Sequence, residues 1–141
     1  MASELELRYL GQQGAAGHGE LGFALRNTGT TTCRTFGYPG VQFLDKSGAP
    51  LPTKPIRVKT DLAGSAPAAE LHLAPGVSAS FRLFVTHGAV PNSVCTTAYG
   101  LQAIAPDDTA SVRAAIPGGA YECGDATVIP LQPGTSAFST P

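Results

Sequence analysis

A chain of 141 residues has the length of one domain with a single core. Its 9 basic residues are scattered among 10 acidic ones, which excludes a surface built to neutralise a nucleic-acid backbone. Charged residues make up only 13%, against about 25% in ordinary domains; with 17 Gly and 12 Pro, surface and corners fall to small residues, as in a β protein rich in turns.

Glu4 to Leu10 alternates, placing Leu5, Leu7 and Tyr9 on one face of a first strand. The glycines of the Gly11–Gly19 stretch read as a flexible loop, after which Leu21, Phe23 and Leu25 alternate along a second strand. Asn27-Thr-Gly29 ends that strand as a tight reversal whose residues tolerate positive φ. Thr31 to Phe36 suits a strand with Cys33 inward, and Gly37-Tyr-Pro-Gly40 turns the chain. Val41 to Asp45 is strand-like and Asp45-Lys-Ser-Gly48 a hairpin turn. Pro50, Pro52 and Pro55 confine Pro55–Lys59 to a sheet edge.

Asp61 to Glu70 reads as a mobile loop. Leu71 and Leu73 flank His72 in a short strand, and Ala74-Pro-Gly76 turns into the strongest alternation of the chain. There Val77, Ala79, Phe81, Leu83 and Val85 face one way, with Ser78, Ser80, Arg82 and Thr86 opposite. Gly88 to Asn92 is a loop, Thr96 to Ile104 a strand and Pro106-Asp-Asp-Thr109 a turn. Val112, Ala114 and Ile116 share a face of the next strand, which Pro117-Gly-Gly119 breaks, and Ala126 to Leu131 is the last strand. No long window holds a helical period free of Gly or Pro, so helices are limited to single turns. The expectation is an all-β fold, an antiparallel, immunoglobulin-like two-sheet sandwich of about 8 strands. Residues 1–131 form the domain and 132–141 a loose tail.

No run reaches the ~20 apolar residues needed to span a bilayer, and Met1-Ala-Ser-Glu4 lacks the features of a signal peptide. Met1 is the one methionine, as an initiator standing where an export signal has been removed would be. Cys33, Cys95 and Cys123 form no C-x-x-C pair and have no neighbouring histidine pair, which disfavours zinc. They fit either reduced thiols in a cytosolic protein or one disulfide plus an odd cysteine in an exported one; low charge and many Thr and Ser residues favour export.

His18, His72 and His87 lack the spacing of a metal site, and no G-x-S-x-G elbow marks a catalytic serine. The glycine loop leads into a strand and has no Lys-Ser/Thr pair to cradle phosphate. Asp107-Asp108 reads as a turn rather than a calcium loop. Tyr38 beside Pro39 is the aromatic corner that packing or a partner contact would use. No catalytic, cofactor or metal residue is therefore assigned, and the expectation is a protein that is not an enzyme.

Asn27-Thr-Gly29, Cys33, Gly37-Tyr-Pro-Gly40 with Val41, Leu73-Ala-Pro-Gly76, Cys95, Pro106 and Cys123 occur in the order and spacing of a known group. From about Leu5 to Leu131 the chain resembles an actinobacterial domain-of-unknown-function family of secreted proteins and lipoproteins. The resemblance implies an envelope or extracellular location and a small β-sandwich, and carries over no chemistry. Members usually have a further cysteine just before the first strand, where this chain has Met1, Ala2 and Ser3. That departure implies that Cys33 lacks its partner and that Cys95 pairs with Cys123; pairing of Cys33 with either of them is the alternative. The function expected is a noncatalytic interaction module of the cell envelope, contacting a protein or wall polymer. A carrier holding a small apolar ligand between the sheets, against Phe23, Phe43, Phe81 and Leu83, is the alternative.

Overall fold

In the computed structural model, which describes residues 4–15, 17–88, 94–106 and 108–138, strands follow one another along nearly the whole chain. They are β1 (Leu5–Ala15), β2 (His18–Asn27), β3 (Cys33–Thr35), β4 (Gly40–Leu44), β5 (Ile56–Arg57), β6 (Thr60–Asp61) and β7 (Gly64–Ser65). After these come β8 (Leu71–Leu73), β9 (Ser78–Thr86), β10 (Thr96–Ile104), β11 (Ser111–Glu122), β12 (Ala126–Val128) and β13 (Gln132–Pro133). The larger sheet runs β1-β2-β9-β12-β5, with β13 also on β9; the smaller runs β11-β10-β4, and β3–β8 and β6–β7 are separate ribbons. The fold is an all-β sandwich.

Alternation decides what lies between the layers. Leu21, Phe23 and Leu25 of β2 pair in register with Leu83, Phe81 and Ala79 of β9, and all six are buried. The smaller sheet answers with Phe43, Ala98, Leu101, Ala103, Ile116 and Ala120. Phe23 stacks on Phe81 with centroids 5.7 Å apart, and Tyr9 tilts against Phe23 at 5.6 Å. Burial pushes the Tyr9 phenol up in pKa, and a hydrogen bond with Gln12 offsets part of that rise. Phe23, Phe43, Phe81 and Leu83 are all at 0% exposure, so the ligand space expected among them is filled by their own packing.

Several expectations are corrected by what the strands do beyond their own pattern. Gly11 to Gly19 is not a loop: β1 and β2 remain paired through it as far as Ala15 and His18, with a bulge between Tyr9 and Gly11, where Gly11 takes a φ of 140°. Pro117-Gly-Gly119 does not end its strand. Between the pairs Ala98–Ala120 and Gly100–Ala115, Tyr99 alone faces the longer stretch Ile116–Gly119. This large bulge needs positive φ at Gly118 and Gly119. It also shifts the inward phase of β10 from Ala98 to Leu101. Pro55–Lys59 does lie at an edge through β5, but β5 pairs parallel to β12 in an otherwise antiparallel arrangement. Val77, expected inward, is exposed.

The second face of β9 is the largest departure. Ser80 and Arg82, expected at a solvated surface, are buried. Arg82 binds both carboxylate oxygens of Asp61 at 2.9–3.1 Å and donates to the carbonyls of Gly64 and Ala137. Asp61 to Glu70 therefore begins as the anchored β6–β7 ribbon, with Ala66 buried, and not as a mobile loop. Residues 132–138 are equally unlike a loose tail: β13 pairs with β9, the Ala137 amide donates to Ser80 Oγ, and Phe138 is buried. A desolvated guanidinium is stable only when its donors are met, and these two flanking segments meet them.

Candidate functional site

The corner Gly37–Gly40 is placed by Gly37, whose φ of 105° suits glycine, and by the bond from the Leu131 amide to its carbonyl. Tyr38 is half-buried against the core, with the Arg57 guanidinium 5.5 Å from its ring centroid. Pro39, its expected companion in partner contact, is buried and has no surface to offer. The corner's exposed apolar group is Phe36, at 57%.

Phe36 stands where two concavities meet. One, of about 420 Å³, runs past Tyr38, Arg57 and Ile104. The other, of about 490 Å³, sinks between β3–β8 and the larger sheet to Leu25, Cys33, Leu73 and Leu131. Both share Phe36, Ala105, Pro106 and Asp108. A third hollow of about 480 Å³ continues from Gly40 and Ile104 to Gln42 and Arg113. The result is a groove along one side of the sandwich, built from segments near residues 36, 57, 72, 105 and 131. No sequence pattern joins such distant segments, and of the residues lining them only Tyr38 is a contact candidate from the sequence.

The groove's rim is mixed in charge. Arg34 lies 3.5 Å from Glu70, and Glu70 is 3.8 Å from His72; Asp108 borders both hollows at the corner. At the other end of β2, His18, Thr86 and Asp125 border a smaller hollow of about 300 Å³. His18 pairs with Thr86, and the His87 ring lies over Gly19, while His72 stays on the β3–β8 ribbon. Among the described residues no group of three or more His, Cys, Asp and Glu could hold a metal ion. Asp107 lies outside the described residues, as do Met1 to Ser3 and Ala89 to Asn92 of the expected loop.

Cys95 and Cys123 are joined in a disulfide and Cys33 is a free, buried thiol. The bridge continues the β10–β11 ladder one step beyond the Thr96–Glu122 pair. Beside it the Glu122 carboxylate, at 0% exposure, accepts from Thr53 Oγ1, Thr96 Oγ1 and the Gly124 amide. A buried carboxylate needs that many donors, and here they lock a strand junction and leave it no approach from solvent. No described helix is long and apolar enough to cross a membrane.

The family model described as a domain of unknown function (DUF4232) matches residues 1–132. The chain belongs to that family. No curated protein and no solved structure matches the chain. For this DUF4232 domain, the disulfide is compatible with an oxidising, extracellular setting, and the geometry of the groove carries the functional reading.

Proposed function

We propose that the domain is a noncatalytic interaction module, secreted or attached to the cell envelope, which engages a protein or wall polymer along the groove beside Phe36 and Tyr38. One observation carries this reading: an exposed phenylalanine at the junction of two hollows, in a chain whose other phenylalanines are buried or half-buried. Apolar surface set in a concavity with a polar rim is the usual form of a contact site. Phe36 is the anchor, the half-buried Tyr38 ring supports it, and Arg34, Arg57, Glu70 and Asp108 form the charged border. The Cys95–Cys123 bridge supports an oxidising compartment, as does the family resemblance, which implies an actinobacterial exported protein or lipoprotein.

The test uses the native chain, Phe36→Ala and Tyr38→Ala, each immobilised and offered envelope extract or purified cell wall. Native protein is expected to retain a discrete species and Phe36→Ala to lose at least tenfold of it, the usual scale of an aromatic anchor. Because Phe36 is exposed, its variant keeps the native melting temperature within a few degrees. Equal retention by native protein and Phe36→Ala, or no retention by either, overturns the reading.

A further inference from the structure

The deeper hollow has features that a surface contact leaves unused. Its floor is aliphatic, formed by Leu25, Leu73 and Leu131, all buried. Its volume of about 490 Å³ falls within the ~300–1,000 Å³ of small-molecule sites. Cys33 and Thr35 lie two residues apart on β3 and so face the same side. The Cys33 thiol is free, and the Thr35 hydroxyl is buried without a hydrogen-bond partner.

That orphaned hydroxyl decides what the cavity wants. Native interiors pair nearly all their buried polar atoms, and an exception calls for an explanation. Thr35 also lines the hollow, and a change of χ1 rotamer is the step that would let its Oγ1 donate to a ligand there. The Cys33 thiol is only a weak donor, so Thr35 is the stronger of the two. At the mouth, the Arg34 guanidinium already lies beside Glu70. A carboxylate ligand would have to compete with Glu70 for it, whereas an uncharged one would not.

We propose that this cavity binds an uncharged, mainly aliphatic small molecule with one hydrogen-bond acceptor. Its chain lies on Leu25, Leu73 and Leu131, and its acceptor takes the Thr35 hydroxyl proton. The proposal goes beyond partner docking at Phe36 and does not depend on it. A small-molecule titration of the chain alone reads the cavity, so its failure is distinguishable from a failure of partner capture.

The probes are 2-octanone, a neutral ketone, and octanoate, its charged counterpart, titrated into ¹⁵N-labelled full chain. With 2-octanone the amide signals of Cys33, Thr35 and Leu73 shift saturably, and octanoate binds at least tenfold more weakly. Thr35→Val matches the native shape without the hydroxyl; it binds 2-octanone about fivefold to tenfold more weakly, the worth of one hydrogen bond. Thr35→Ser keeps the donor and restores affinity to within about twofold of native. Unliganded Thr35→Val melts no lower than the native protein, because the group it removes had no partner. Three results each overturn the proposal: no saturable shift at those amides, equal 2-octanone affinity in native protein and Thr35→Val, or octanoate binding as tightly as 2-octanone.

Discussion

Single side chains close the corners of this molecule by taking over backbone hydrogen bonds. Asn27, at 0% exposure, donates from Nδ2 to the carbonyls of Thr31 and Leu73 at 2.8 Å and accepts the Gly29 amide at Oδ1. It thereby ties the end of β2 to the start of β3 and to β8. Gly29 is not among the glycines with positive φ; a Cβ there would displace the Glu4 side chain, so close approach and not turn conformation favours glycine. Asp45 plays the equivalent part at the turn after β4. The Ser47 hydroxyl first, then the Ala49 amide, hold its carboxyl below the usual carboxylate range. Its folded pKa lies below the unfolded value of about 3.9, so its contribution is complete above that value and is lost as pH falls through the folded one. Acidifying the protein below about pH 4 should therefore increase exchange-corrected solvent access at the Ser47 and Ala49 amides before the rest of the β4–β10 pairing changes. Asp45→Asn, which cannot titrate, should abolish that step; an acid-insensitive turn in the native protein would refute the assignment.

At the scale of elements, strands whose own side chains alternate were legible, and those shaped by distant chain were not. Leu21, Phe23 and Leu25, and Ala79 to Val85, carry a period of two that no helix can satisfy. By contrast, the covering of Ser80 and Arg82 depends on Asp61 and on Ala137, far apart in sequence. The glycine-rich end of the β1–β2 hairpin has no side-chain pattern to announce its pairing. The groove is hidden for the same reason, since segments far apart in sequence supply it. Gly22 shows how close the covering segment lies: a Cβ there would overlap the ring of Phe138. Gly22→Ala should displace Phe138 and undock residues 132–138 from β9, costing about 1–3 kcal/mol as overpacking does. Limited proteolysis should then cut after Leu131 faster than in native protein while the spectrum of the β2–β9 core stays native. Unchanged protease sensitivity would show that the segment adapts without leaving.

At the scale of the molecule, the core is built largely from small side chains. Ala79, Ala98, Ala103, Ala120 and Ala126 stand at inward positions, each burying less apolar area than the leucines and phenylalanines between them. Such a core leaves a thin margin above the cost of ordering the chain, and a covalent tie therefore weighs more here than in a domain with a larger core. Cys95 and Cys123 are 28 residues apart, and closing a loop of that length stabilises by roughly 3–4 kcal/mol in the chain-entropy account. The bridge also adjoins buried Glu122, whose donors Thr53 and Thr96 are aligned only while the β10–β11 end is closed. Replacing both bridged cysteines by alanine should therefore lower unfolding free energy in urea by about 3–4 kcal/mol. The m-value should change too, because the uncrosslinked unfolded chain exposes more surface. Adding Thr53→Val should cost less in this variant than in the oxidised native protein, since a frayed hairpin end has already let water reach Glu122. Strictly additive losses would instead mean that the bridge and the buried carboxylate hold the molecule independently.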